Sequence, residues 1–190
     1  MVTDLYDITM TGRFCYAFMC IERYLLTVYP EVDWTPIAKK MWQWTNNHFW
    51  DDSWDIYSEI VPDFILEFPT YEETNKRAYD GELDKSDYEA IVACYKGITN
   101  GNSNDEINRV IHVPIEMGNE CEGSDFSWAE PRVQEWIDEL EKILISHDIE
   151  IPSKDNLTAF HYDRSPKTPP DENPHRWGAS VDTEYLSIIL

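Results

Sequence analysis

The spacing of apolar residues constrains the fold most, because it repeats every three to four positions over most of residues 9–147. Such spacing places apolar side chains on one face of an α-helix. It is clearest in the segment that holds Val133, Trp136, Ile137, Leu140, Ile143, Leu144 and His147. No alternating pattern typical of a strand occurs before residue 150. We therefore predict an all-α fold, a single-domain bundle of about seven helices with a Pro-rich C-terminal extension.

Capping residues and prolines predict where the helices begin and end. Four capping boxes, in which serine or threonine precedes glutamate by three positions, predict helix starts. They are Thr70 with Glu73, Ser86 with Glu89, Ser103 with Glu106, and Ser127 with Glu130. Pro62 is expected to break or kink the stretch over residues 54–68, and Pro114 to limit the helix that follows Ser103. In the first helix, one face is expected to hold Phe14, Phe18, Ile21, Leu25 and Val28.

The end of the chain differs from the rest. Residues 1–150 are predicted to form the helical domain, and residues 151–190 an extended, Pro-rich segment. The chain ends in VDTEYLSIIL, whose last residues are too apolar to lie free in water. We expect this end to dock on the helical body, and a disordered tail is the alternative.

The net charge of the chain limits the classes of molecule that it is expected to bind. There are 37 Asp and Glu residues against 15 Lys and Arg residues, which gives a net charge of −22. A surface this negative repels nucleic acid and anionic membranes and attracts basic proteins. Solubility, or adaptation to a salty habitat, is the alternative explanation of the charge. We expect a basic protein as partner, with no binding to nucleic acid or membranes.

The cysteines indicate a reducing compartment. Cys15, Cys20, Cys94 and Cys121 form no CxxC pair, and the N-terminus lacks the basic and apolar regions of a signal peptide. No apolar run approaches the roughly 20 residues of a membrane-spanning helix. We predict four free, partly buried thiols and a cytoplasmic location.

No motif for catalysis or for a cofactor is found in the sequence. Nucleotide-binding, zinc-protease and nucleophile-elbow patterns are all missing, so we expect neither an enzyme nor a cofactor. His48 with Asp51 and Asp52 could share a helix face as metal ligands, and His161 with Asp163 and His175 could form a second site. We favour the alternative that these are core-edge and surface polar groups, and we predict no metal.

Two acidic stretches without lysine or arginine, residues 51–68 and 116–125, suggest a binding surface. The first stretch is rich in aromatic residues, and Asp63 and Glu67 are among its acidic residues. The second stretch is predicted to be a loop between two helices. Carboxylates speed encounter with a basic partner, and aromatic anchors hold it once docked. The candidate partner-binding residues are Trp50, Asp51, Asp52, Trp54, Asp55, Glu59, Glu116, Glu120, Glu122 and Asp125.

The alternative places the tryptophans in the core and the carboxylates on the solvated side of the same helices. We expect this for Trp42 and Trp44, and both interpretations stay open for Trp50 and Trp54.

Three features together resemble a known class of proteins. They are the TGRF opening of the first helix, the tryptophan-rich MWQWTNNHFWDDSW, and the acidic, mainly helical layout over residues 8–147. These features resemble the all-helical immunity proteins of bacterial polymorphic toxin systems. The resemblance implies a cytosolic protein that binds and neutralises one cognate toxin, often a nuclease or a deaminase. It implies no catalytic residues in this chain.

Three other functions remain open from the sequence. One is an acidic mimic of nucleic acid, although residues 1–30 are close to neutral and interrupt the negative charge that a mimic would carry. Another is an enzyme with a carboxylate or His/Asp site, and the last is a scaffold or adaptor.

Overall fold

The computed structural model describes residues 5–46, 55–74, 83–121, 126–161 and 184–190. These residues form helices and no strand, with one isolated antiparallel bridge between Ile8 and His161. The all-α prediction is therefore confirmed for the described residues. Nine helices are bounded within them, against the roughly seven predicted.

Seven of the nine are α-helices: α1 (Met10–Val28), α2 (Thr35–Asn46), α3 (Pro62–Ile65), α4 (Tyr71–Thr74), α5 (Lys85–Tyr95), α6 (Glu106–Cys121) and α7 (Phe126–Ser146). Lys154–Phe160 and Glu184–Leu186 are 3₁₀-helices. Residues 55–58 are helical as well. None of these described helices is long and apolar enough to cross a membrane.

Helix α1 lies at the centre of the molecule and packs against α2, α6, α7 and the first 3₁₀-helix. Fourteen of its 19 residues are buried, so burial extends well beyond the single apolar face predicted. Thr9 caps α1, because its hydroxyl accepts a hydrogen bond from the amide of Gly12. A Cβ atom on Gly12 would lie 2.5 Å from the Cβ of Phe160, so only glycine allows this approach of the 3₁₀-helix.

Trp42 and Trp44 lie in the core, as predicted. The Trp42 ring meets Phe18 edge-on at 5.4 Å, and the Trp44 ring lies 4.6 Å from Phe14. Tyr57 stacks on Phe18 at 5.7 Å. Offset and edge-on aromatic pairs of this kind add to the stability that burial of the rings already gives.

The segment after α7 is only partly extended where it is described, because residues 154–160 and 184–186 form 3₁₀-helices. Its Leu157 and Phe160 side chains are buried, and the Phe160 carbonyl accepts a hydrogen bond from the amide of Thr9 at 2.9 Å. At the end of the chain, the Leu186 side chain is buried as well. Apolar burial therefore holds both described parts of this segment against the helices.

Three of the four capping boxes are wrong. Helix α5 begins at Lys85 and is capped by Asp84, whose carboxylate accepts a hydrogen bond from the amide of Asp87 at 2.8 Å. Ser86 therefore lies inside the helix. Aspartate caps a helix as well as serine does, and the box pattern does not include it.

The boxes at Ser103 and Ser127 do not mark helix starts either. Helix α6 begins at Glu106 itself, and α7 begins one residue before Ser127. The box at Thr70 is correctly placed, since α4 begins directly after this residue. Serine and glutamate are common enough in this chain for the spacing to occur without capping.

Proline has the predicted effect in one helix and not in another. Pro62 is the first residue of α3 and separates it from the helical residues 55–58, as predicted. Pro114 lies inside α6, which continues to Cys121, so the prediction that it limits the helix is wrong. Pro114 is buried, and the Tyr57 hydroxyl donates to the Ile111 carbonyl at 2.8 Å in the preceding turn. Tertiary packing here outweighs the cost of about 3 kcal/mol that a helix-interior proline carries.

Arg13 and Glu22 are charged residues of α1 that the fold buries. The Arg13 guanidinium donates to the carbonyls of Ile8 at 3.2 Å, Glu130 at 3.1 Å and Tyr6 at 3.4 Å. It therefore joins the N-terminal segment to α7. Buried charges persist in proteins when they are hydrogen-bonded in this way.

Glu22 binds the C-terminal segment. Its carboxylate accepts hydrogen bonds from the Trp42 indole at 2.8 Å, from the Ser187 hydroxyl and from the Ile188 amide at 2.7 Å. Burial is the largest influence and raises the pKa of Glu22, while these hydrogen bonds act in the opposite direction.

The raised pKa of Glu22 predicts how its contribution to stability changes with pH. A carboxyl group whose pKa is higher in the folded state stabilises the fold below its unfolded pKa, and it loses that contribution as the pH rises through the folded value. Relative to wild type, Glu22→Gln should therefore become more stable as the pH rises from about 4 to about 7. Urea unfolding at several pH values measures this difference.

Glu150→Gln is the matched control for this experiment, because the Glu150 side chain is 90% exposed. If the stability difference between Glu22→Gln and wild type stays constant over the same pH range, the argument from burial is wrong.

All four cysteines are free, as predicted, and all four are buried, where partial burial was expected. Burial raises the pKa of Cys94 to about 11 and that of Cys121 to about 12, and it also raises the pKa values of Cys15 and Cys20. Because the thiolate is the reactive form, none of these thiols is suited to nucleophilic chemistry near neutral pH.

We predict that all four thiols react slowly with a thiol reagent in the folded protein and completely after unfolding without reductant. Burial and the raised pKa values account for the slow phase. Counting the reactive thiols in denaturant measures this, and a count below four would reveal a disulfide.

Candidate partner-binding face

Four of the ten predicted partner-binding residues belong to the described part of the chain: Asp55, Glu59, Glu116 and Glu120. The other six lie outside the described residues: Trp50, Asp51, Asp52, Trp54, Glu122 and Asp125. His48, Asp163 and His175, which were considered as metal ligands but not favoured as such, lie outside them too. Asp55 is exposed, as a docking residue requires.

Glu59 cannot serve as a docking carboxylate, and this part of the prediction is wrong. Its side chain is 7% exposed, and one carboxylate oxygen accepts a hydrogen bond from the amide of Leu83 at 3.0 Å. The acidic residues around Glu59 in the sequence indicated that its side chain would be exposed to solvent. Contact with a segment more than twenty positions away buries it instead.

Residues 116–125 were predicted to form a loop, and this prediction is wrong for Glu116 and Glu120, which are helical residues. Helix α6 extends to Cys121, so both side chains project from the same side of its last turns. A helix fixes the spacing of the two carboxylates, which a loop would not.

Helices α6 and α7 pack side by side and present one continuous face. Residues at helical spacing line it, and we refer to them as the α6–α7 face: Arg109, His112, Glu116 and Glu120 from α6, and Trp128, Arg132, Trp136 and Glu139 from α7. Ion pairs join its two sides. The Arg109 guanidinium lies 2.8 Å from the Glu139 carboxylate, and that of Arg132 lies 3.5 Å from Glu120.

Two clefts adjoin this face, and both are lined by Asp63 and His112. The first has a volume of about 230 Å³, and its charged and aromatic lining also includes Arg109, Glu116, Trp136 and Glu139. The second has a volume of about 380 Å³ and extends over α3; Glu67, Phe64 and Ile115 are among the residues that line it. Both clefts thus combine carboxylates with apolar walls.

His112 connects the two predicted acidic stretches. Its Nδ1 atom lies 3.9 Å from the Asp63 carboxylate, which belongs to the first stretch. Its Nε2 atom lies 3.5 Å from the Glu116 carboxylate, which belongs to the second. The fold therefore brings the two stretches together at one histidine, which was not among the predicted site residues.

Trp128 supplies an exposed aromatic side chain at one end of the face. The residue is 60% exposed, and the guanidinium carbon of Arg132 lies 4.7 Å from the centre of its ring. Trp128 was not among the predicted site residues, because the apolar face predicted for α7 begins at Val133. The signal was present, since Trp128, Arg132 and Trp136 follow one another at intervals of four.

Other histidines contact carboxylates outside this face. The His147 Nε2 atom lies 2.6 Å from the Glu106 carboxylate, which also accepts a hydrogen bond from the Tyr24 hydroxyl at 3.0 Å. This cluster joins α1, α6 and the end of α7. Among the described residues, no group of three or more His, Cys, Asp or Glu side chains is arranged to hold a metal ion.

The chain matches no known protein-family model, no curated protein and no solved structure. The geometry of the α6–α7 face and the charge of the chain are therefore the basis for the functional argument.

Proposed function

We propose that this protein binds a basic protein partner through the α6–α7 face, and that the partner is a toxin whose activity it blocks. The observation that carries the proposal is the exposed Trp128 ring at the end of a face that borders two clefts in which carboxylates outnumber basic side chains. Exposed tryptophan is common among the residues that dominate binding energy at interfaces.

Charge supports a basic partner in two ways. The net charge of −22 attracts a positively charged protein over long distances and speeds their encounter. At short range, Asp63 and Glu116 line the clefts beside His112, where lysine or arginine side chains of the partner could bind them. Arginine suits such clefts best, because its planar guanidinium pairs with carboxylates and stacks on aromatic rings.

The class of partner follows from the same chemistry and from the resemblance to immunity proteins. Nucleases and nucleic-acid deaminases carry basic surfaces that bind phosphate groups. An acidic face that covers such a surface blocks access of nucleic acid. On this proposal the protein acts in the cytoplasm by binding alone, without catalysis and without a cofactor.

Co-expression with the products of the genes adjacent to the one that encodes this chain tests the proposal. One product should arrest growth when expressed alone, and this protein should restore growth and co-purify with it. Glu116→Lys combined with Glu120→Lys should abolish the rescue, because it reverses charge within the face.

Glu72→Lys combined with Glu89→Lys is the matched control. It changes the net charge equally at exposed positions near Lys85, outside the face. Rescue by the Glu116/Glu120 variant as complete as that by wild type would remove the face from the interface. Binding to several unrelated DNA-binding proteins would instead support a nucleic-acid mimic.

The predicted contribution of Asp51 and Asp52 stays a prediction. Reversal of both residues to lysine should lower the association rate with the same partner, and the wild-type rate should fall steeply with salt. An unchanged association rate would limit the interface to the described face.

A further inference from the structure

Both clefts are lined by His112 together with Asp63. The His112 side chain is partly exposed. Histidine is the side chain that ordinarily gains or loses its proton between about pH 5 and 8. Protonation would place a positive charge within 4 Å of both Asp63 and Glu116.

The charged groups around His112 come from three elements. Helix α3 contributes Asp63, and Glu67 follows it at the edge of the second cleft. Helix α6 contributes Arg109 and Glu116. Helix α7 contributes Glu139, which pairs with Arg109. With His112 neutral, carboxylates dominate both clefts.

We propose that protonation of His112 weakens docking at the α6–α7 face, so that the protein holds its basic partner more tightly at neutral pH than at acidic pH. This inference rests on the function proposed above. A protonated imidazole competes with the partner's guanidinium or ammonium groups for the Asp63 and Glu116 carboxylates, and it also repels those groups directly.

Coulomb's law sets the size of the effect. Repulsion by the imidazolium should lower the affinity for a partner whose positive charge lies about 6 Å away by about fivefold. This value assumes an effective dielectric constant between the values for a protein surface and for water. The direction is the opposite of that expected for a histidine which itself contacts an acidic partner.

A cationic peptide of alternating arginine and alanine residues is a suitable probe. Its affinity for wild type should fall about fivefold between about pH 7.5 and about pH 5.5, and the fall should largely disappear in His112→Gln. His112→Lys, which is always charged, should bind the peptide weakly at both pH values. Thermal melting at each pH verifies that every variant is folded.

His161→Gln is the matched control, because His161 lies 3.9 Å from the Asp7 carboxylate, is 55% exposed and is outside the face. It should keep the wild-type pH dependence. An equal loss of affinity in wild type and His112→Gln would overturn the inference while leaving the face intact. If the peptide fails to bind wild type at about pH 7.5, or if Glu116→Lys does not weaken binding, the proposed face itself is wrong.

Discussion

Arg13→Met is expected to lower the free energy of unfolding by about 3–4 kcal/mol. Methionine keeps the apolar part of the side chain but donates no hydrogen bond. The carbonyls of Ile8, Glu130 and Tyr6 would each lose the hydrogen bond that the guanidinium donates. Loss of this link should also loosen the N-terminal segment from α7. Urea unfolding measures the change.

Arg23→Met is the matched control on the same helix. Arg23 is partly exposed and donates to the Glu150 carbonyl at 3.0 Å at the edge of the molecule. Exposed ion pairs contribute about 1 kcal/mol or less, so this variant should remain close to wild type. Similar losses in the two variants would show that burial of Arg13 does not determine its contribution.

Helices could be predicted from the sequence because their apolar spacing is a local property. Val133, Ile137 and Leu140 show this for α7, because all three are buried as predicted. Of the other positions predicted for that face, Trp136 is only partly buried and His147 is exposed. The residues at which helices begin could be predicted less well. Both Asp84 and Ser86 are of a type that caps helices, and Asp84 is the one that caps α5. The burial of Arg13 depends on the segments that surround α1, and no local pattern in α1 indicates it.

The types of residue in the candidate face could be predicted from the sequence, but their arrangement in space could not. The two acidic stretches contain Asp63 and Glu116, and their sequences indicate a binding surface. Their convergence on His112 depends on how α3 and α6 pack. The burial of Glu59 has the same origin, because the amide of Leu83 approaches it from a distant segment.

Trp128→Ala is expected to raise the dissociation rate of the toxin that the growth-rescue experiment identifies. An interface anchor contributes about 2 kcal/mol or more, which corresponds to an increase of about 30-fold. The stability of the free protein should change little, because most of the Trp128 side chain is already exposed. Surface plasmon resonance gives the two rate constants, and thermal melting gives the stability.

Trp128→Ala should raise the dissociation rate constant and leave the association rate constant unchanged. The indole carries no net charge, so its loss leaves the long-range attraction of the carboxylates unchanged. Tyr185→Ala is the matched control, since Tyr185 is 61% exposed on the C-terminal segment, outside the face. A dissociation rate for Trp128→Ala equal to that of the control would mean that the partner does not contact this ring. The carboxylates beside His112 would then remain as the proposed contact.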